Sequence, residues 1–320
     1  MRKIIMVSAG ALVFLIVLLA SGAARAEKKV GIFLFSEDAR YLNAARGIRD
    51  VLKEDGFEEP KIKIIEGNAG ANIARAAELV SNITGTKMDL IFSIGTPITM
   101  ALAKEIRDVP IVFSTVYDPV ESGIAKRWES SGNNTTGVST KIPMSMLLDS
   151  LIKFKPVKRL TVLYTPGEKQ SVLVAQDLRE IQSQYNMKII AVPFTKKEDF
   201  GQMLQEVVRT SDAIYISGSN LVTGQLATVV DMATKASVVT ITHLEDLVER
   251  GVLLGVCADS YQVGRRAGEK GVKILKGAKP AAIPIDTMKK SSVILNMKTA
   301  REGHYEIPQE FMRTVTKKIP

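Results

Sequence analysis

Short apolar runs alternate with segments of helical spacing along nearly the whole chain, and the alternation starts twice. Residues 30–35, 62–65, 90–94 and 111–113 read as strands in the first series. Between them, 39–54 places Tyr41, Ala44, Ala45, Ile48, Val51 and Leu52 on one helical face, with Gly56 as the stop. Helices are predicted over 71–83 and 96–106 as well. After Pro143 the pattern restarts, with strands at 160–164, 188–192, 213–217, 238–241 and 252–256. Helices at 171–184, 197–208 and 223–235 separate them, and a helix at 261–275, a strand near 293–295 and a helix after Pro308 follow. Strands that are apolar throughout, rather than on alternate residues, are buried on both faces. That requires parallel sheets covered by helices on either side. There are too many strands for one comfortable sheet, so the prediction is an α/β fold with two doubly wound parallel-sheet lobes. The stretch from Tyr117 to Thr140 is rich in Gly, Ser, Asn and Thr and reads as the boundary.

The N-terminus carries a different signal. Arg2 and Lys3 precede an uncharged run to Ala24, and Ala24-Arg25-Ala26 supplies small residues at an A-x-A spacing. This is the layout of a secretory signal peptide over 1–26, and it predicts an exported, periplasmic protein. The run is also long enough to remain as an N-terminal membrane anchor if it is not cleaved. No cysteine lies near the exit for lipid attachment. The whole chain has net charge +9, falling to +6 without Arg2, Lys3 and Arg25, and its positive charges are scattered. No nucleic acid partner is expected, because no basic patch accompanies a recognisable reading element. Cys257 is the only cysteine, so no intrachain disulfide and no CxxC metal or redox site can form.

In open parallel sheets, ligands bind beyond the carboxyl ends of the strands. The segments that follow the strands are therefore the candidate ligand-binding residues. Ser36 and Glu37 follow the first strand, and Gly95-Thr96-Pro97 follow the third. Thr96 suits a helix N-cap and Pro97 the first helical position, which would offer free N–H groups to a carboxylate. Tyr117 and Asp118 follow the fourth strand; Asp118 could accept bonds from a ligand amine or fix the turn before Pro119. In the second series come Tyr164-Thr165, then Gly218-Ser219-Asn220, then Asp259 and Tyr261. Hydroxyls, amides, carboxylates and aromatic rings suit reversible binding of a small polar or amphipathic molecule. No catalytic residue, metal ligand or cofactor is predicted: the motifs of hydrolases, zinc peptidases and phosphate-binding loops do not occur. His243 follows a strand, but without a matching acid or nucleophile it reads as a surface or packing residue.

Several of these segments together resemble one family. Ile94-Gly95-Thr96-Pro97 with Ala101-Leu102-Ala103-Lys104, Val109-Pro110-Ile111-Val112-Phe113, Asp118-Pro119-Val120 and Asn134-Thr135-Thr136-Gly137-Val138-Ser139 are similar to the ABC-transporter substrate-binding proteins of the tryptophan/tyrosine-binding type. Gly264-Arg265, Ala267-Gly268, 274–280, Ile283-Pro284, Leu295-Asn296-Met297-Lys298-Thr299-Ala300 and Ile307-Pro308 continue the resemblance over nearly all the chain beyond residue 26. It implies a type I periplasmic-binding-protein fold with a three-crossover hinge. We place the crossovers near 116–140, 256–261 and 285–293. The lobes are then 27–117 plus 260–285 and 140–256 plus 293–320. The resemblance also implies a monomer that closes on a small-molecule ligand, an amino acid or related carboxylate being favoured. It implies as partners a permease in the inner membrane and a cytoplasmic ATPase; a ligand-binding sensor subunit of a membrane receptor is the alternative. One position departs: the family often has an acidic residue just before Asn220, and here it is Ser219. Glu37 or Asp118 is expected to supply that carboxylate. Thr96 is expected to hold the ligand carboxylate, with Tyr117, Tyr164 or Tyr261 against its apolar part.

Overall fold

In the computed structural model, which describes residues 27–320, two parallel sheets form separate lobes joined by three chain passages. The proposed signal segment lies outside the described residues. No described helix is long and apolar enough to cross a membrane.

The first lobe runs β1 (Lys28–Leu34), α1 (Ala39–Glu54), β2 (Ile62–Asn68), α2 (Ile73–Ile83), β3 (Leu90–Ile94), α3 (Thr96–Glu105), β4 (Ile111–Val116) and β5 (Thr135–Ser139). The chain then enters the second lobe with α4 (Met144–Phe154), β6 (Arg159–Tyr164), α5 (Lys169–Ile181), β7 (Lys188–Pro193), α6 (Phe200–Thr210), β8 (Ala213–Ile216), α7 (Asn220–Thr223), α8 (Leu226–Lys235), β9 (Val239–Thr242), α9 (Glu245–Glu249) and β10 (Leu254–Cys257). It returns to the first lobe for α10 (Ser260–Leu275) and β11 (Asp286–Thr287). It ends in the second with β12 (Ser292–Asn296), α11 (Met297–Glu302), α12 (Gln309–Met312) and β13 (Lys317–Ile319).

The first sheet has the order β11-β5-β4-β3-β1-β2 and the second β13-β12-β10-β9-β8-β6-β7. All pairs are parallel except β10 with β12, where the returning chain runs antiparallel. Strands β3, β4, β8, β9 and β10 are buried along their whole length, as their unbroken apolar character requires. In each lobe the strand order reverses once, between β1 and β3 and between β6 and β8. The crevice outside the carboxyl ends of strands at such a reversal is where an open α/β sheet binds ligands.

The expected crossover over 116–140 is corrected by β5. Residues 135–139 pair with β4 and are fully buried in the first sheet, so the chain leaves that lobe only after Ser139. Composition hid this strand, since Thr-Thr-Gly-Val-Ser looks like a loop. A glycine is required at its centre: a Cβ on Gly137 would lie 2.3 Å from the Phe113 carbonyl oxygen. The first lobe also extends to β11, which pairs with β5. The other two passages fall at 258–259 and 288–291.

Candidate ligand-binding cleft

The two strand reversals face each other, and the loops and first helical turns beyond them line one cleft between the lobes. The first lobe contributes Arg40, Tyr41, Thr96, Pro97, Thr115 and Tyr117, and Thr140 follows at the passage between lobes. The second contributes Gln170, Val174, Gly218, His243 and Leu244.

Arg40 enters from the first turn of α1. Its guanidinium is almost wholly buried, bonded to Asp38 at 2.6 Å and, across the lobes, to Asp246 at 2.5 Å. It also lies 4.5 Å from the centre of the Tyr41 ring. Burial opposes the Arg40 charge, but Tyr41, Asp246 and Asp38 more than offset it, so the group stays cationic. One positive charge thus meets two carboxylates.

Thr96 is set by Gly95. The glycine sits at φ 111°, and its missing side chain leaves room for Phe35 and Tyr41, which would each stand 3.0 Å from a Cβ. A non-glycine residue is strained at that φ. Gly95 is therefore the cap of α3, Thr96 opens the helix and Pro97 follows. This corrects the expectation that Thr96 is the N-cap. The Thr96 hydroxyl accepts the Tyr117 amide at 3.4 Å. Thr115 lies in an irregular stretch of β4 with φ 56°, a conformation a β-branched residue rarely adopts. Such strain is found where a site needs a particular backbone shape.

Tyr117 leaves the first lobe and buries its ring against the core of the second, donating to Asp177 at 2.6 Å. The His243 ring meets it edge-on with centroids 5.4 Å apart. His243 Nδ1 pairs with the Tyr215 hydroxyl, which reaches it from β8. Burial, with a smaller push from Arg40, lowers the His243 pKa to about 3, so the ring is neutral at ordinary pH.

On the second lobe, Glu168 is buried where α5 begins. Its carboxylate accepts the Asn220 amide at 3.0 and 3.1 Å, the Gln170 side-chain amide at 2.9 Å and the Ser219 hydroxyl at 3.5 Å. Burial raises its pKa to about 7 against the pull of those bonds.

Of the residues singled out in the sequence, Thr96, Pro97, Tyr117 and Gly218 line the cleft. Others stand behind it. The Ser36 hydroxyl accepts the Asp38 amide at 3.3 Å. Thr165 and Ser219 share a hydroxyl–hydroxyl bond of 2.5 Å, and Asn220 donates across the lobes to the Ala71 carbonyl at 3.0 Å. Tyr164 is half-buried against the second core.

The remaining four are placed elsewhere. Glu37 is exposed. Asp118 holds the next turn through Val120 and Glu121, both at 3.0 Å, and pairs with Lys141 at 2.9 Å. Asp259 is the exposed cap of α10, and the Tyr261 hydroxyl bonds Asp50 at 2.7 Å, tying α10 to α1. The carboxylate beside Ser219 and Asn220 is thus neither Glu37 nor Asp118 but Glu168. Arg40, Tyr41 and Gln170 escape the reading of the strand ends, and His243, which follows a strand, reads from the sequence as a surface or packing residue although it lines the cleft. The first three sit one helical turn further on, and the last is buried by a tyrosine from another strand.

Two doubly wound lobes, three passages and a cleft at the paired strand reversals define a hinged binding protein of the type I periplasmic class. The chain belongs to the ABC transporter substrate binding protein family, whose profile matches residues 29–319. A tyrosine-binding protein of Clostridioides difficile (strain R20291) is 26% identical over 277 residues, 86% of this chain and 80% of that protein. The ABC domain from Streptococcus pneumonia solved in complex with L-Trp superposes with a TM-score of 0.86 at 24% identity, covering 92% of this chain and 100% of that one. The ligand-free, open structure of a Clostridium difficile substrate binding protein with adhesive properties superposes with a TM-score of 0.73 at 27% identity, covering 91% and 98%.

Proposed function

We propose that this chain is the extracytoplasmic solute-binding component of an ABC importer, and that it closes on a small amphipathic molecule, an amino acid or related carboxylate, for delivery to a membrane permease driven by a cytoplasmic ATPase. The observation that carries this reading is the cleft itself. Rings of Tyr41, Tyr117 and His243 offer apolar walls, and Thr96, Thr115, Thr140 and Gln170 offer hydroxyl and amide groups. A few polar groups set in an aromatic pocket fix a ligand's orientation while apolar area supplies affinity. The start of α3 at Thr96 suits a carboxylate, because the first helical N–H groups lack intrahelical partners. Asp38 and Asp246 outnumber Arg40, a balance that favours a positive group on the ligand. The neutral His243 ring adds aromatic surface without charge.

The lobes are bridged in this structure by Arg40 to Asp246 and Asn220 to Ala71. Their closer superposition on the L-Trp complex than on the ligand-free open protein agrees with a closed arrangement. Hinge closure turns occupancy into shape, which is what a transporter can read.

Thermal unfolding of residues 27–320 against amino acids, carboxylates, sugars and nucleosides tests the proposal. A ligand bound only by the folded state adds about 2.7 kcal/mol at a hundredfold excess over its dissociation constant. The expected result is a raised midpoint with aromatic amino acids or their close analogues. A shift confined to sugars or nucleosides would assign the cleft to another solute class.

A further inference from the structure

Gln170 has one end fixed and the other unsatisfied. It lines the cleft from the first turn of α5, and its Nε2 donates to Glu168 Oε2 at 2.9 Å. Above its pKa of about 7 the Glu168 carboxylate only accepts hydrogen bonds, so there the amide nitrogen faces Glu168 and the amide oxygen faces away. That oxygen, Oε1, is buried and has no hydrogen-bond partner among the described residues. Glu168 is itself held in place, since both its oxygens take the Asn220 amide and one takes the Ser219 hydroxyl. The hydroxyls of Thr96, Thr115 and Thr140 can turn to donate or accept, so they do not discriminate between ligand groups. Gln170 can.

We infer that Gln170 Oε1 receives an N–H donor of the ligand, the ammonium of an amino acid, and that Glu168 is the positioning residue that fixes this polarity. The inference rests on the cleft being an amino-acid site, and it adds a selection rule: the amine is required. Sites built around a hydrogen bond reject analogues that lack the partner, because a buried polar group is then left unpaired.

The test is calorimetric titration of residues 27–320 at pH 8, where Glu168 is ionised. The probes are L-tyrosine and L-tryptophan, each beside its desamino acid, 3-(4-hydroxyphenyl)propanoate or 3-(indol-3-yl)propanoate. The wild-type protein is expected to bind an amino acid at least a hundredfold more tightly than its desamino acid. Gln170→Leu should lose tenfold or more of the amino-acid affinity while its desamino affinity stays within threefold. Glu168→Gln, which frees the Gln170 amide to turn over, should narrow the same ratio; a purely structural role would weaken both probes alike. Equal binding of amino and desamino acids by the wild type would overturn the inference and leave the cleft as a carboxylate site. So would equal losses for both probes in Gln170→Leu. If neither kind of probe binds the wild-type protein, the amino-acid reading of the cleft falls, and this inference falls with it.

Discussion

Glu168 and His243 pull the stability of the protein in opposite directions as pH changes. Glu168 titrates near 4.5 when unfolded and near 7 when folded. The folded state holds its proton more tightly, so this contribution is complete below about 4.5 and is lost as pH rises to about 7. His243 goes from 6.5 unfolded to about 3 folded. Its contribution is complete above about 6.5 and is lost as pH falls toward 3. Between about 4.5 and 6.5 the two slopes oppose each other, each near 1.4 kcal/mol per pH unit. Glu168→Gln removes the falling one. The unfolding free energy of the variant minus that of the wild type should therefore rise by about 3 kcal/mol between pH 4 and pH 8, measured by denaturant titration. A difference that stays flat would show that Glu168 is not held as described. From the sequence Glu168 is not singled out, and His243, which follows a strand, reads as a surface or packing residue. Glu168 is buried by Asn220 and Ser219 from the β8 loop, and His243 by Tyr215 from β8. Such partners are near in space and distant in sequence. Thr96, Tyr117 and Gly218 were legible, because the end of a parallel strand is a local feature with a fixed geometric meaning.

The first turn of α1 carries Arg40 and Tyr41, and α10 holds that helix in place. The two helices cross at glycines. A Cβ on Gly264 would sit 2.0 Å from the Ala44 carbonyl oxygen, and one on Gly47 2.3 Å from the Tyr261 carbonyl oxygen. Backbone atoms cannot step aside as side chains can. Gly264→Ala should therefore push the helices apart and cost about 1–3 kcal/mol of unfolding free energy, with weaker ligand binding as Arg40 and Tyr41 shift. Chemical denaturation of the variant checks this, and unchanged stability would contradict the close crossing. The elements themselves were largely written in apolar runs and helical spacing. What the pattern could not give was the allegiance of β5, whose polar Thr135, Thr136 and Ser139 are buried through bonds to backbone carbonyls or neighbouring side chains. Composition marks a loop where satisfied polar groups in fact make a strand.

At the scale of the whole molecule, the proposed function requires one lobe to close on the other. Arg40 and Asp246 are both almost fully buried and come from opposite lobes, so under the proposed hinge closure their pairing would form as the cleft shuts. Removing one partner of a buried pair leaves the other charge uncompensated, at a cost of about 3–5 kcal/mol. Arg40 keeps Asp38 in Asp246→Asn, which moderates the loss. The variant should bind its ligand at least tenfold more weakly while its ligand-free unfolding midpoint stays close to that of the wild type. A large fall in that midpoint with unchanged affinity would make the pair a folding contact instead. The most direct measurement is a crystal structure of residues 27–320 grown with the amino acid that most raises the unfolding midpoint. The account predicts that molecule between the lobes, against Thr96, Tyr117 and Gln170, with Arg40 still joined to Asp246. Saturating ligand with an empty cleft, or ligand seated elsewhere on the protein, would contradict it.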